Sequence, residues 1–430
     1  MNSKVKKYCK KVLKVLSILG VSMILCSLAL IIVFSLPEER IRMHIARASS
    51  IIFEEGNYPY LGVQAEGYML DNYTDALLFM FNYSADSEHP IESAFIARGV
   101  AVPSVEGVDT LKVALEDPNW KELLGGDRSS NWLGINIILR PMLFLFDINQ
   151  CRIVWNIICY IILAITICVI AKKINSYIAL GYAVTMWIFG FYATSLSFSL
   201  GGQCIIIANI AICYILSKDV RNINIFNTML YVGILTAFFD WLSIPLVTWG
   251  LPILIYYIAL TEKNNAKLHI AALVKSGFGW CIGYAGMICS KCIIAVMLQG
   301  KSGWNYFVNR ITADTAGNSI ETWLLSVRKM IDCIFPFNLF PSNNLIFTVG
   351  WLAIILLIII SASTCGWKKR FGILCLIGLS PFAYYAYARG HIHHTGIEFR
   401  TLMITFYTIW IVIDSLIQRV KQCFSKKHIE

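Results

Sequence analysis

Charge is what this sequence has least of. Only 14% of its 430 residues are Asp, Glu, Lys or Arg, against about 25% in a soluble domain. The deficit runs along the whole chain, which leaves no room for a large soluble domain and is too broad for a tag or a single anchor. Metal-type cysteine spacing is missing too. One Cys-x-x-Cys occurs, Cys289-Ser290-Lys291-Cys292, but it lies inside an apolar run and has no second Cys or His pair at zinc spacing. The 14 cysteines fall mostly in apolar runs, as at Cys159, Cys168, Cys213, Cys289 and Cys375, and the polar stretch 37–133 contains none. This placement argues against a disulfide framework and for buried free thiols. There is no internal repeat of the kind that marks duplicated transporter halves.

What is present is apolar length. Hydrophobic residues make up 57% of the chain, and the mean hydropathy is +0.65. A span needs roughly 20 apolar residues. The candidates are 15–36, 151–171, 176–194, 202–217, 225–241, 243–260, 270–298, 344–363, 371–387 and 401–418, of which 202–217 and the 225–260 pair are the weakest. Residues 134–147 form a further short apolar helix, and 322–343 reads as helical but interrupted. The expected fold is therefore all-α: a polytopic transmembrane helix bundle of about ten spans, one membrane domain over 1–430. A large extracytoplasmic loop or cap (37–133) follows the first span, and a late extracytoplasmic loop covers 388–400. Lys4, Lys6, Lys7, Lys10, Lys11 and Lys14 precede the first apolar run. That run extends to Leu36, too long for a signal-peptide core, and no small-residue cleavage site follows, so an uncleaved first helix is expected.

The net charge of +10 would suggest nucleic acid in a soluble protein. Here many basic residues cluster between apolar runs, which points to topology and to no nucleic-acid partner. With the N-terminus in the cytoplasm and the spans alternating, the cytoplasmic segments hold the N-terminal lysines, Lys172-Lys173, Lys218 with Arg221, Lys263 with Lys267, Lys368-Lys369-Arg370, and Arg419, Lys421, Lys426 and Lys427. The short outer turns near 195–201 and 241–243 hold no Lys or Arg. The expected location is the cell membrane, multi-pass, with both termini cytoplasmic. The outer side then carries 37–133, the turn at Asp240, 299–343 and 388–400. Stretch 37–133 has apolar and aromatic residues at helical spacing and turn signals such as Gly125-Gly126-Asp127, so a folded cap or membrane-surface helices are expected.

Four polar groupings stand out. In Leu70-Asp71-Asn72-Tyr73-Thr74-Asp75 the two acids are four apart, so a helix places them on one face; Glu66 lies five residues earlier. They are either a helix cap with an acidic first turn or a general base whose pKa is raised by its neighbour. Arg140-Pro141 lies in an apolar helix, where an arginine either snorkels to the interface or clamps an anionic phosphate. Asp240, in Phe238-Phe239-Asp240-Trp241-Leu242-Ser243-Ile244-Pro245, is a lone acid between apolar helices, as a helix cap or a cavity lining. The last is Gly390-His391-Ile392-His393-His394-Thr395-Gly396-Ile397-Glu398-Phe399-Arg400. His391, His393, His394 and Glu398 lack a recognised zinc spacing. They form either an interfacial polar loop or donors to phosphate and sugar oxygens, with Arg400 adding a fixed positive charge.

A short basic N-terminus, a first helix, a large outer loop with an acidic stretch near its start, and late His and Arg residues together resemble a GT-C-type membrane glycosyltransferase. The resemblance covers most of the chain by layout but only about 30 residues by motif. It implies a polyprenyl-phosphate-linked sugar donor reaching the outer site from the bilayer, and a cell-envelope glycan or lipid as acceptor. A carboxylate, Asp71 or Asp75, deprotonates the acceptor for an inverting attack. Glu66, Arg140, Asp240, His391, His393, His394, Glu398 and Arg400 bind substrate. No cofactor and no divalent metal are expected. The acidic pair departs from the family's adjacent pair by its Asp-x3-Asp spacing, leaving open which carboxylate acts. Abundant Ile, Asn and Lys suit a low-GC bacterium. The rival readings are a glycolipid or polysaccharide transporter or flippase, and a polysaccharide polymerase or ligase.

Overall fold

A computed structural model describes residues 3–62, 66–126, 129–241, 243–260, 266–315, 320–334, 368–387 and 394–427. The chain opens with α1 (Ser3–Phe34), 32 residues long, which at 1.5 Å per residue is about 48 Å and more than a hydrocarbon core requires. Its Leu13, Leu16, Val21, Ile24, Leu28 and Ile32 are exposed, a surface suited to lipid rather than water.

The 37–133 stretch is folded. It contains α2 (Glu38–Glu55), α3 (Asn72–Ser84), α4 (Pro90–Phe95) and α5 (Val108–Glu116), with an antiparallel pair β1 (Gly99–Val100) and β2 (Leu124–Gly126). α2 is amphipathic: Ile41, Ile45, Ala48 and Ile52 recur at helical spacing and are buried, together with Leu78 and Phe79 of α3 and Leu111 and Ala114 of α5. These side chains join the core of the apolar helices rather than forming a separate one. Gly107 is needed where α5 begins. Its φ is +58°, and a Cβ there would lie 2.3 Å from Asn57 Oδ1 and 2.4 Å from the Tyr73 ring.

After this come α6 (Asn136–Leu145), α7 (Ile148–Lys173), α8 (Ser176–Ile188), α9 (Phe191–Thr194), α10 (Gly202–Ser217), α11 (Ile225–Phe239), α12 (Val247–Ala259) and α13 (Ala266–Gln299). Then follow α14 (Lys301–Thr315), α15 (Ile320–Ile334), α16 (Lys368–Gly378), α17 (Ser380–Tyr387), α18 (Thr395–Glu398) and α19 (Met403–Lys427). Among the described residues, four stretches are helical, long and apolar enough to cross a membrane: Val5–Phe34, Ile148–Lys173, His269–Gln299 and Gly396–Ser415. The other apolar runs give shorter helices than ten full spans would need. α8 and α12 have 13 residues and α10 has 16, about 20–24 Å each. Gly190, with φ +68°, ends the α8 turn, and the 371–387 run breaks between α16 and α17. The expected span 344–363 lies outside the described residues, as do Asp127, His391 and His393.

Small residues let α11 and α13 approach closely. A Cβ on Gly283 would lie 2.1 Å from the Leu230 carbonyl oxygen, and one on Gly279 2.3 Å from that of Phe226. Lys291 of α13 is buried, and its ammonium donates to the Phe95 carbonyl at 2.6 Å. This lysine, in a helix long and apolar enough to cross a membrane, thus ties α13 to α4. Cys292 is buried and Cys289 exposed on the same helix, both free thiols.

Candidate functional site

Asp71 is the N-cap of α3: its Oδ1 accepts the Thr74 N–H at 3.1 Å. One turn on, Asp75 is wholly buried, and its two carboxylate oxygens accept the Phe198 N–H at 3.0 and 3.2 Å. Phe198 belongs to the apolar turn between α9 and α10. The next residue, Ser199, donates its hydroxyl to Asp71 Oδ2 at 3.3 Å and lies 3.1 Å from the Ser197 hydroxyl. That turn therefore closes over both acids. Burial pushes the Asp71 carboxyl above the ordinary carboxylate range, opposed by hydrogen bonds from Thr74 and Ser199 and by the charge of Arg400. Asp75 is pushed up to about 7, first by burial; Arg152 opposes this and the Asp71 charge adds to it. Two neighbouring carboxyls out of water do not both ionise easily, so near neutrality the pair titrates as one coupled unit.

Arg400 comes from the other end of the chain, in the turn Phe399–Leu402 that leads into α19. It is wholly buried. Its Nη1 donates to the Gly396 carbonyl at 2.6 Å, while Nε and Nη2 have no hydrogen-bond partner among the described residues. Gly190 packs beside this guanidinium: a Cβ there would lie in ordinary contact with Nη2 at 3.5 Å and tight against the Gly67 carbonyl oxygen at 3.0 Å. Tyr192 lies within electrostatic reach of Arg400, and Tyr58 within that of Asp71. Tyr68 and Tyr192 have centroids 5.9 Å apart, and Tyr58 stacks on Tyr73 at 5.9 Å with planes 6° apart. Asp71 and Arg400, with Gly190 and Ser199 beside them, thus face one another's charge.

Behind the acids lies a network that sequence reasoning missed. Arg152, near the start of α7, donates from Nη1 to both oxygens of Glu55 at 3.1 and 2.9 Å, and from Nη2 to Asn72 Oδ1 at 2.7 Å. Asn72 in turn donates to Glu55 at 2.8 Å and to the Gly56 carbonyl at 3.0 Å. The signal available was a charge just inside an apolar run. Ser199 carried no signal, because it lies in a turn with no charge at all.

The remaining sequence-derived candidates separate. Arg140 is wholly buried and donates to the Val33 carbonyl at 2.9 Å, to Asn82 at 3.1 Å and to Leu36 at 3.2 Å. It lies 4.8 Å from the Phe34 ring centroid. It caps the exit of α1, and Asn82 is seven residues along α3 from Asp75, about 10 Å. Arg140 is therefore not grouped with the acids. Asp240 ends α11 and accepts the Ser243 N–H at 2.9 Å. Ser243 lies against Gly201, the end of the turn that carries Ser199. Glu398 is buried beside Arg400, and its backbone carbonyl accepts the Tyr385 hydroxyl at 2.9 Å. His394 is exposed at the head of α18. Glu66 opens the short turn Glu66–Tyr68. An acid with a raised pKa facing a buried, partly unpaired guanidinium can take up a proton on one side and hold an anion on the other. Comparison with protein-family models, curated proteins and solved structures found no match for this chain.

Proposed function

We propose that this chain is a multi-pass glycosyltransferase of the cell membrane that uses a polyprenyl-phosphate-linked sugar. The reading takes the apolar helices as a bundle of about ten spans, with both termini cytoplasmic and 37–133 outside. Its acceptor is a hydroxyl of a cell-envelope glycan or lipid. One observation carries the reading: Asp71 and Arg400, far apart in sequence, are both buried and feel one another's charge, and the guanidinium keeps two nitrogens without partners among the described residues. A lone buried guanidinium is costly unless an anion completes it.

In this mechanism the acceptor O–H gives its proton to Asp71, the carboxylate nearer Arg400. The freed oxygen forms a bond to the anomeric carbon on the face opposite the phosphate. The bond from that carbon to the phosphate oxygen breaks, and the lipid phosphate leaves with its electron pair, held by Arg400 Nε and Nη2. Asp75 stays behind Asp71 and modulates its basicity. Arg140 takes no part, because its donors already serve backbone carbonyls.

The test is transfer from polyprenyl-phosphate sugars in membranes, with products extracted and resolved. Asp71→Asn should lower the rate roughly 10²–10⁴-fold and leave membrane insertion intact, because Asn still caps α3. Arg400→Ala should weaken donor binding and leaving-group departure together. Full activity in Asp71→Asn would remove the acid from the mechanism. The fully buried, protonatable Asp75 also suits proton-coupled movement of a glycolipid; wild-type protein that moves such a lipid across vesicles without transferring sugar would favour that second reading.

A further inference from the structure

We propose that Arg152 is the positioning residue of the acidic pair, shared between Glu55 and the α3 face that bears Asp75, and that this sharing sets how readily Asp75 ionises. The proposal rests on the glycosyltransferase reading only for its consequence; the network itself is independent of substrate.

The geometry is that of a divided charge. Arg152 is almost fully buried, whereas the Glu55 side chain is 30% exposed. The planar guanidinium meets both Glu55 oxygens with Nη1 and Asn72 with Nη2, and its Nε has no hydrogen-bond partner among the described residues. Asn72 and Asp75 are three residues apart on α3, which places them on the same face. Arg152 therefore fixes the first turn of α3 from behind while its charge reaches Asp75. A lysine could supply the charge but not the two-pronged hold.

The groups around Asp75 act in known directions. From α2 comes Glu55, from α7 Arg152, from the head of α3 Asp71, and from the turn before α19 Arg400, which reaches the pair through Asp71. The turn between α9 and α10 gives the Phe198 N–H and the Ser199 hydroxyl. Glu106 lies farther out, 3.5 Å from the Tyr73 hydroxyl. Of these, Arg152 and Asp71 act on Asp75 directly and in opposite senses, and Glu55 acts through the guanidinium that it holds. Neutralising Arg152 leaves Asp75 buried without its nearest cation, so it should hold its proton to higher pH. Neutralising Glu55 frees more of the Arg152 charge for Asp75, so it should release its proton at lower pH. In the reaction, the state of Asp75 decides whether Asp71 works beside a neutral acid or beside a second carboxylate.

The experiment uses the detergent-purified full-length protein and dicyclohexylcarbodiimide, which modifies protonated carboxyls in apolar surroundings. Labelling of the Asp75 peptide is read by mass spectrometry from about pH 5 to about pH 9, with Asp75→Asn as the site control. Arg152→Gln should move the labelling midpoint up by about 1 pH unit or more, Glu55→Gln should move it down, and Arg152→Lys should stay nearer the wild type than Arg152→Gln. The opposite signs set this apart from loosened packing, which would shift both neutralising variants the same way. Unchanged midpoints, or shifts of one sign, overturn the proposal. If Arg152→Gln is not recovered folded, Glu55→Gln decides alone, and an unmoved midpoint there is a refutation. Labelling needs no sugar donor, so a failure of the transfer assay leaves this result readable.

Discussion

Replacing Asp75 with asparagine should stabilise the protein at alkaline pH and change it little at acid pH. The carboxyl is wholly buried and receives one backbone N–H, that of Phe198, shared by its two oxygens. Burial holds its pKa at about 7, against about 3.9 in an unfolded chain. Between these values the folded state keeps a proton that the unfolded state has released. Stability therefore falls as pH rises through this window and levels off above the folded value. A difference of about three units corresponds to at most about 4 kcal/mol, and because Asp71 shares the titration the part borne by Asp75 alone is about 1–3 kcal/mol. The substituted asparagine would keep an oxygen for the Phe198 N–H while removing the buried charge. The assay is thermal unfolding of the detergent-solubilised wild type and Asp75→Asn at about pH 5 and about pH 8.5. The wild type should melt lower at the higher pH, and the variant should show a flatter dependence. A wild-type melting temperature that rises with pH, or a variant equally destabilised at both values, would refute the reasoning.

Three other outcomes can be checked. Sugar transfer should decline as pH falls, because Asp71 must be ionised to act, and burial places its limb above the ordinary carboxylate value of about 4; a rate constant down to that pH would count against Asp71 as base. Arg140→Ala should strand the Val33, Leu36 and Asn82 carbonyls at a cost of roughly 1–3 kcal/mol for each one left unsatisfied, seen as lost folded yield; properly folded protein in which only donor affinity has changed would contradict the capping role. In a cysteine-depleted background, Lys112→Cys should react with an impermeant maleimide from outside and Lys218→Cys only after permeabilisation, both sites being exposed; the reverse pattern would invert the proposed topology and its outer site.

Much of the helical layout was legible locally. The acidic stretch at 71–75 starts a helix because the Asp71 side chain reaches the Thr74 N–H within one turn, a bond that needs nothing from the rest of the chain. Asp147 and Asn175 open α7 and α8 in the same way. Helix lengths were less legible. The run at 176–194 read as one span, yet Gly190 adopts φ +68°, a conformation that favours glycine, and the chain turns there.

Sequence alone determined that the described residues are overwhelmingly helical, with helices apolar enough for a membrane, because hydropathy and helical period are properties of a short window. It also determined that Asp71 and Asp75 share a face, because helix geometry converts a spacing of four into a direction. Only the tertiary structure decided what the arginines do. Arg140 lies in an apolar helix and Arg400 at the end of a polar loop, and each was a candidate anion-binding charge in the sequence. Arg140 meets the carbonyls at the exit of α1 and is saturated, whereas Arg400 meets a glycine and the edge of an acidic site and keeps two nitrogens unpaired among the described residues. Arg152 reads as the first residues of a hydrophobic run, and only packing brings Glu55 and Asn72 to it. The role of a buried charge is set by the partners that long-range contacts supply, and those partners are not encoded in its neighbours along the chain.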